Sequence, residues 1–342
     1  MRDLKADVRA ALTRERLIKA GARVLIGVSG GADSVTLAHV MAGLRQELRL
    51  WLGIVHVNHG LRPEAPDDAA CVRALGAQLA LPVTVFERDV AAEIKQAGWS
   101  LEDGARRIRY RAFLEAAGEM RATHVALAHT ADDQAETVLM RLMRGAGLSG
   151  LSAIPISRAL GQAQVIRPLL GVWRREVLAY ARAHHLSFRH DATNDDPRFV
   201  RNRIRHHLLP LLEREYNPQL KVLLVQVAEQ CRTDAAYLQD AARRYWKRLV
   251  KARPGEAAIR IDGFLRQPKA LQRQLVRLAI HKLQGNLTGF EFRHWVEIER
   301  LFAERPVGTT VDVAGGTQFE RGKERVVVRR VVASARESRY TT

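Results

Sequence analysis

Six residues, Ser29-Gly30-Gly31-Ala32-Asp33-Ser34, lie between the apolar run Val24-Leu25-Ile26-Gly27-Val28 and the run Val35-Thr36-Leu37-Ala38-His39-Val40. They leave the chain few options. Two adjacent glycines allow a sharp turn and close approach of a ligand to the backbone. A helix starting there aims its unpaired N–H groups and positive dipole end at the same spot. Ser29 and Ser34 add hydroxyls, and Asp33 adds a carboxylate able to hold a hydrated magnesium ion. The segment reads as a phosphate cradle at the end of a strand. An ordinary strand-to-helix turn is the competing reading, but such turns seldom need two glycines, two serines and an acid together. No Gly-Lys-Ser/Thr follows the glycines, and Gly-x-Gly-x-x-Gly is absent, so neither the Walker loop nor the dinucleotide fingerprint applies.

The same alternation continues along the chain. Strand-like Val24–Val28 is followed by a helix to about Gln46, a strand Leu50–Val57 and a helix Asp67–Leu79. A strand Val83–Phe86, a helix Leu101–Gly118, a strand His124–Ala128 and a helix Asp132–Arg144 complete the series. Strands of nearly unbroken apolar content separated by helices predict an α/β fold with a doubly wound parallel sheet. Ligands in such sheets bind at the carboxyl ends of the strands. His56-Val57-Asn58-His59-Gly60-Leu61-Arg62 and His129-Thr130-Ala131-Asp132-Asp133 fall there, beside the glycine loop.

Gly145–Gly161 reads as a loop, Gln164–Arg167 as a strand and Trp173–His185 as a helix. After the polar stretch Asp191–Pro197 comes a basic helix with Arg198, Arg201, Arg203 and Arg205, expected to be interrupted at Pro210. Asn217–Arg253 is expected to form one long helix ending at Pro254-Gly255. Helices Pro268–Leu283 and Glu291–Ala303 and strands near Thr310–Val313, Thr317–Glu320 and Glu324–Arg330 suggest a small α+β domain. The expected division is therefore a catalytic domain over 1–212, a helical connector over 213–254, the small C-terminal domain over 255–333 and a frayed tail over 334–342.

The 342 residues carry 55 Lys and Arg against 37 Asp and Glu, a formal charge of +18. Such self-repulsion does nothing for fold stability and points to nucleic acid as partner. Cys71 and Cys231 are far apart and form no Cys-x-x-Cys pair, which excludes a cysteine-ligated zinc ribbon or iron–sulfur cluster within one chain. No apolar run approaches the ~20 residues needed to cross a bilayer, and the first residues lack an apolar signal core. A cytoplasmic location without membrane association is expected.

Asp132, Asp133 and Glu136 crowd the first turn of their helix. Capping and the helix dipole account for one or two acids; three, with Gln134, suggest a site for a cation or ammonium group. In Arg243–Arg253, six basic residues surround Tyr245 and Trp246. That segment either tracks a nucleic-acid backbone or buries its aromatics as an amphipathic helix with the cations outside.

Taken together, the motifs become specific. Ser29–Ser34 resembles the pyrophosphate-binding loop of the ATP pyrophosphatase superfamily, with its adenine nucleotide alpha hydrolase-like fold. The 56–62 segment, Glu102-Asp103-Gly104-Ala105-Arg106 with Arg109-Tyr110, the 129–137 segment and Arg144-Gly145-Ala146-Gly147 occur in the order of one family. So do Arg167-Pro168-Leu169-Leu170, Asp191-Ala192-Thr193-Asn194 and Arg201-Asn202-Arg203-Ile204-Arg205. Over residues 20–212 the chain resembles the tRNA(Ile)-lysidine synthetases.

The resemblance implies that ATP adenylates carbon 2 of the wobble cytidine of an isoleucine tRNA with a CAU anticodon. The ε-amine of free L-lysine then displaces AMP. It also implies roles. Ser29, Gly30, Gly31, Ala32, Asp33 and Ser34 would hold the pyrophosphate portion of ATP, and His56 would flank adenine. Asp132, Asp133 or Glu136 would meet lysine's ammonium or magnesium, with Asp33 and Asp132 the metal candidates and Asp133 and Glu136 those for lysine. Arg106 and Arg109 would neutralise the α-phosphate, a solvated helix face being their equal alternative. Arg201, Asn202, Arg203 and Arg205 would contact tRNA. His56, His59 and His129 could act as bases or be structural. The chain resembles the shorter architecture of the family, and a homodimer is left open. A tRNA thiolase, an amide-forming synthetase and an inactive RNA-binding protein remain alternatives; missing cysteine pairs disfavour the first, and a missing glutaminase segment the second.

Overall fold

The computed structural model describes residues 3–58, 65–189 and 196–331. His59-Gly60-Leu61-Arg62, the 191–194 motif, the expected tail and the side chain of Glu102 lie outside the described residues. The chain packs as two units that divide between Cys231 and Arg232. That division falls inside the helix expected as a connector.

In the first unit α1 (Leu4–Arg14) precedes β1 (Arg23–Gly27), α2 (Ala32–Leu44), β2 (Trp51–Asn58), α3 (Ala65–Leu79) and β3 (Val83–Glu87). Then come α4 (Val90–Ala97), α5 (Leu101–Glu119), β4 (His124–Ala126), α6 (Ala131–Met143), α7 (Leu148–Leu151), β5 (Ser157–Leu160) and β6 (Ala163–Ile166). Helices α8 (Arg174–Ala183), α9 (Val200–Arg203) and α10 (Leu209–Glu215) lead to α11 (Leu220–Leu249). The sheet order is β3-β2-β1-β4-β6-β5, parallel except for the edge strand β5.

Period-two alternation distributes the strands' apolar side chains between two cores. Val24, Ile26, Leu52, Ile54, Ala126 and Ile166 face one core, shared with α1, α2 and α8. Leu25, Val55, Val57, Val125 and Val165 face the other, packed on Ala112, Phe113 and Ala116 of α5. Both faces are covered, which is why these strands read as continuous apolar runs rather than alternating ones. Fully burying a residue such as Leu25 contributes about 1.5–3 kcal/mol. The doubly wound α/β sheet is as the sequence predicts.

Local differences have local causes. The expected loop at 145–161 contains α7 and the hairpin strand β5, whose register is held by pairing with β6 rather than by its own apolar content. Pro210 does not interrupt its helix: it sits in the first turn of α10, where no N–H is needed. The preceding Ile204–Leu208 winds in wider π-type turns. The long helix ends at Leu249, and Val250–Arg253 forms β7, because a partner strand is available in β8 (Glu256–Arg260).

The second unit continues with α12 (Ile261–Leu265), α13 (Lys269–Gln284), α14 (Phe292–Ala303), β9 (Thr310–Val313), β10 (Thr317–Arg321) and β11 (Arg325–Arg330). Its antiparallel sheet has the order β7-β8-β11-β10-β9. Phe264 and Phe302 stack at 3.8 Å in a core that also takes Trp246 and Leu249 from α11. Arg243, Arg244, Lys247 and Arg248 stay exposed. The aromatics of that basic segment are therefore core residues, with the cations outside.

Among the described residues no helix is long and apolar enough to cross a membrane.

Candidate functional site

The strand order reverses between β1 and β4, and the crevice beyond their carboxyl ends is the ligand position of an open α/β sheet. From β1 the chain enters the glycine loop. Gly30 has φ of +91°, a left-handed conformation that favours glycine. Ser34 Oγ accepts from the Ser29 N–H at 3.1 Å and donates to the Gly31 carbonyl at 2.9 Å. The Ser29 and Ser34 hydroxyls lie 3.2 Å apart. Ser34 therefore braces the loop itself. Gly31 caps α2 without any side-chain hydrogen bond, and a Cβ on Gly30 would meet nothing within 4 Å. Open space thus lies beside a helix N-terminus that no side chain caps, which fits a bound phosphate.

Asp33 follows in the first turn of α2. Its Oδ1 is buried without a partner, and its Oδ2 lies 4.0 Å from Arg174 Nε. Burial raises its pKa from 3.8 to about 6; Arg174 opposes the shift and Asp133 adds to it. An orphaned carboxylate oxygen beside a phosphate cradle suits Mg²⁺, which is usually held by one or two carboxylates, waters and the substrate's phosphates. Among the described residues no group of three or more His, Cys, Asp or Glu forms an all-protein metal site.

From β4 the chain enters α6, where Thr130 caps the helix. Asp133 Oδ2 accepts the Thr130 N–H at 2.8 Å, closing a reciprocal capping box. Its Oδ1 takes Arg201 Nη2 at 2.8 Å and Arg205 Nη2 at 3.1 Å. Glu136, only 2% exposed, accepts Arg205 Nε at 2.6 Å and Arg201 Nε at 2.8 Å. Burial opposes the charge of Asp133, but Arg201 and its other partners win and hold its pKa below the ordinary value. Burial likewise opposes both arginines, and the carboxylates raise them above the ordinary value. The result is a four-residue ion-pair cluster with Glu136 buried and Asp133, Arg201 and Arg205 part-buried.

Asp132 turns elsewhere. Its Oδ2 accepts the Arg174 N–H at 2.8 Å, and its Oδ1 lies 3.7 Å from Lys221 Nζ, which also pairs with Glu213 at 3.2 Å. A cavity of about 60 Å³ lined by Asp132, Glu136, Arg174, Arg205, Leu209 and Lys221 lies between the two groups.

The remaining candidates separate. His56 is buried; its Nδ1 lies 2.8 Å from the Val28 carbonyl and must carry the proton, leaving a buried, unpartnered Nε2. Burial lowers its pKa. Burial also lowers that of His129 to about 3, so His129 is a neutral imidazole at working pH, with Nδ1 unpartnered. Arg106 and Arg109 are exposed on α5. Asn202 donates to the Asp196 carbonyl at 2.9 Å, and Arg203 to those of Pro197 and Arg198. Arg174 and Lys221 were not among the expected residues. Arg174 could have been found, since it opens the helix following a strand of the same sheet. Lys221 carries no signal of its own; packing of Leu224 and Ala228 against Ala135, Val138 and Leu139 of α6 belongs to the core that brings α11 here.

Residues 4–212 match the family model of the PP-loop domain. The chain is 39% identical to a tRNA(Ile)-lysidine synthase of Symbiobacterium thermophilum, over 90% of this chain and 67% of that protein. It is 42% identical to one of Geobacter sulfurreducens, over 88% of this chain and 64% of that protein. It thus spans about two thirds of these relatives' length. A U34-tRNA thiolase from Methanococcus maripaludis has a similar fold, with a TM-score of 0.56 and 21% identity over 66% of this chain and 76% of that one.

Proposed function

The chain belongs to the tRNA(Ile)-lysidine synthase family of PP-loop proteins, and from that premise we propose that it ligates free L-lysine to the wobble cytidine of an isoleucine tRNA with a CAU anticodon. The observation that carries the reading is the meeting, at the reversal of strand order, of a phosphate cradle on α2 with the part-buried Asp133 and buried Glu136 of α6. One activates and the other selects a cation.

In the first step the oxygen on carbon 2 of cytidine attacks the α-phosphorus of ATP, and pyrophosphate leaves toward the Gly30-Gly31 loop. Helix-terminal N–H groups and Arg174 would stabilise the charge arriving there. Asp33 would hold magnesium, whose role is to neutralise the phosphate oxygens. In the second step the ε-amine of lysine, in its unprotonated form, attacks carbon 2 while the bond from that carbon to oxygen breaks and AMP leaves with the electron pair. Asp133 and Glu136 suit a cationic substrate because they already bind two guanidiniums, with which lysine's ammonium would compete. Arg201 and Arg205, once displaced, would be free to meet RNA phosphates. His129, uncharged, would serve as a hydrogen-bonding group rather than a proton store.

The test is release of AMP and pyrophosphate from ATP with the CAU-anticodon transcript, with and without labelled lysine. Lysine-dependent AMP release together with label in the tRNA is expected. Lysine-dependent AMP release without incorporation into tRNA would overturn the reading.

A further inference from the structure

Tyr110 on α5 sits among three guanidiniums supplied by different parts of the fold. Cζ of Arg106, one turn earlier on α5, lies 5.1 Å from its ring centroid, and Cζ of Arg158, on edge strand β5, lies 4.0 Å away. Arg167, just beyond β6, donates Nη2 to the phenol oxygen at 3.3 Å and Nη1 to the Pro155 carbonyl at 2.6 Å. Arg167 is 2% exposed, and the Nε–H groups of Arg158 and Arg167 are both buried without an acceptor.

Charge is the unusual part. Arg174, Arg201 and Arg205 each face a carboxylate. Among the described residues, Arg106, Arg158 and Arg167 face none; they share one aromatic ring and one phenol oxygen. A ring face attracts a cation weakly, and three gathered cations repel one another. Burial resists ionisation of Tyr110, yet Arg167, Arg106 and Arg158 together bring its pKa below the ordinary value. The environment is one that asks for an anion. Arg106 is exposed and Arg158 half-buried, so an anion can arrive from solvent. The cluster also adjoins the candidate site, because Arg167 and Arg106 both act on His129.

We propose that Arg106, Arg158 and Arg167, arranged around Tyr110, seat a backbone phosphodiester of the bound RNA. This rests on the RNA-modifying function proposed above. The nucleotide's own phosphates have the Gly30-Gly31 loop and Arg174, which stand on other elements. A phosphodiester presents one charge on two non-bridging oxygens, the geometry that forked guanidiniums match.

The experiment is binding of the CAU-anticodon isoleucine tRNA transcript to the full chain over a series of salt concentrations, for native protein, Arg158→Gln and Arg158→Lys. Loss of one phosphate contact should weaken Arg158→Gln about five- to tenfold at low salt and flatten the plot of log affinity against log salt by about one. Arg158→Lys should keep the slope while losing part of the affinity, because a point charge replaces a fork. ATP affinity should be unchanged in both. If Arg158→Gln does not fold, Arg106→Gln is read by its salt slope alone, which should flatten by about one. An unchanged salt slope would overturn the proposal, as would a fall in ATP affinity with RNA binding intact. The same series on an RNA of unrelated sequence separates the two claims. A phosphate seat is blind to sequence and flattens that slope too, whereas absence of any preference for the isoleucine tRNA would count against the proposed function.

Discussion

Replacing Asp33 by Asn should move stability and function in opposite directions. Burial lifts the Asp33 pKa from 3.8 to about 6. At ~1.36 kcal/mol per unit, keeping this carboxylate ionised in the folded protein costs about 3 kcal/mol more than in the unfolded chain. The folded state holds the proton more tightly. The group's contribution to stability is therefore complete below about pH 4, falls as pH rises through about 6, and is flat above. Asn has the same shape and no charge. Near neutrality Asp33→Asn should be about 2 kcal/mol more stable than the native chain, the lower figure allowing for 24% side-chain exposure and the lost contact with Arg174. At about pH 4 the two proteins should coincide. Urea unfolding across this pH range, followed by a probe in the first unit, measures the difference. Pyrophosphate release should fall about 100-fold, because the carboxylate is absent when charge develops on the phosphates. A less stable variant, or a stability difference that does not change with pH, would refute the electrostatic reasoning.

Gly30→Ala meets no neighbouring atom but forces a left-handed backbone on a side-chain-bearing residue, so a loss of about 1–3 kcal/mol is expected together with weaker ATP binding. Calorimetry reads both, and unaltered ATP affinity would count against the cradle. Glu136→Ala strands two partly buried guanidiniums on Asp133 alone and should destabilise the first unit by about 3 kcal/mol; chemical denaturation checks it, and a loss under about 1 kcal/mol would show the cluster to be weakly coupled. His129 should show no proton uptake in its ring NMR signals between about pH 5 and 8, whereas an inflection near 6.5 would contradict its burial.

Much of the first unit is legible in the chain. Val24–Val28 and Leu50–Val57 announce doubly covered strands because apolar residues occupy both alternating faces. The glycine pair announces its turn because φ of +91° is a local requirement that only one residue type meets readily. Other elements depend on partners. Val250–Arg253 looks like the end of a basic helix and becomes a strand only because Glu256–Arg260 lies beside it. Ser157–Leu160, with Arg158 in its middle, is a strand by pairing alone.

The candidate site divides along the same line. Composition and spacing along the chain determined that a phosphate loop and an acidic helix start stand at strand ends, since each is made of residues adjacent in sequence. What those acids touch was decided only in three dimensions. Arg201 and Arg205 are 65 to 72 positions from Glu136 and Asp133, and reach them through the wide turn at Ile204–Leu208 and the packing of Ile204, Leu209 and Leu224 with α6. The basic helix that reads as a free RNA-binding surface is thus half committed to an internal ion-pair cluster. Charge pattern is a property of neighbours, but the partner of a charge is set by the tertiary packing that carries it out of water.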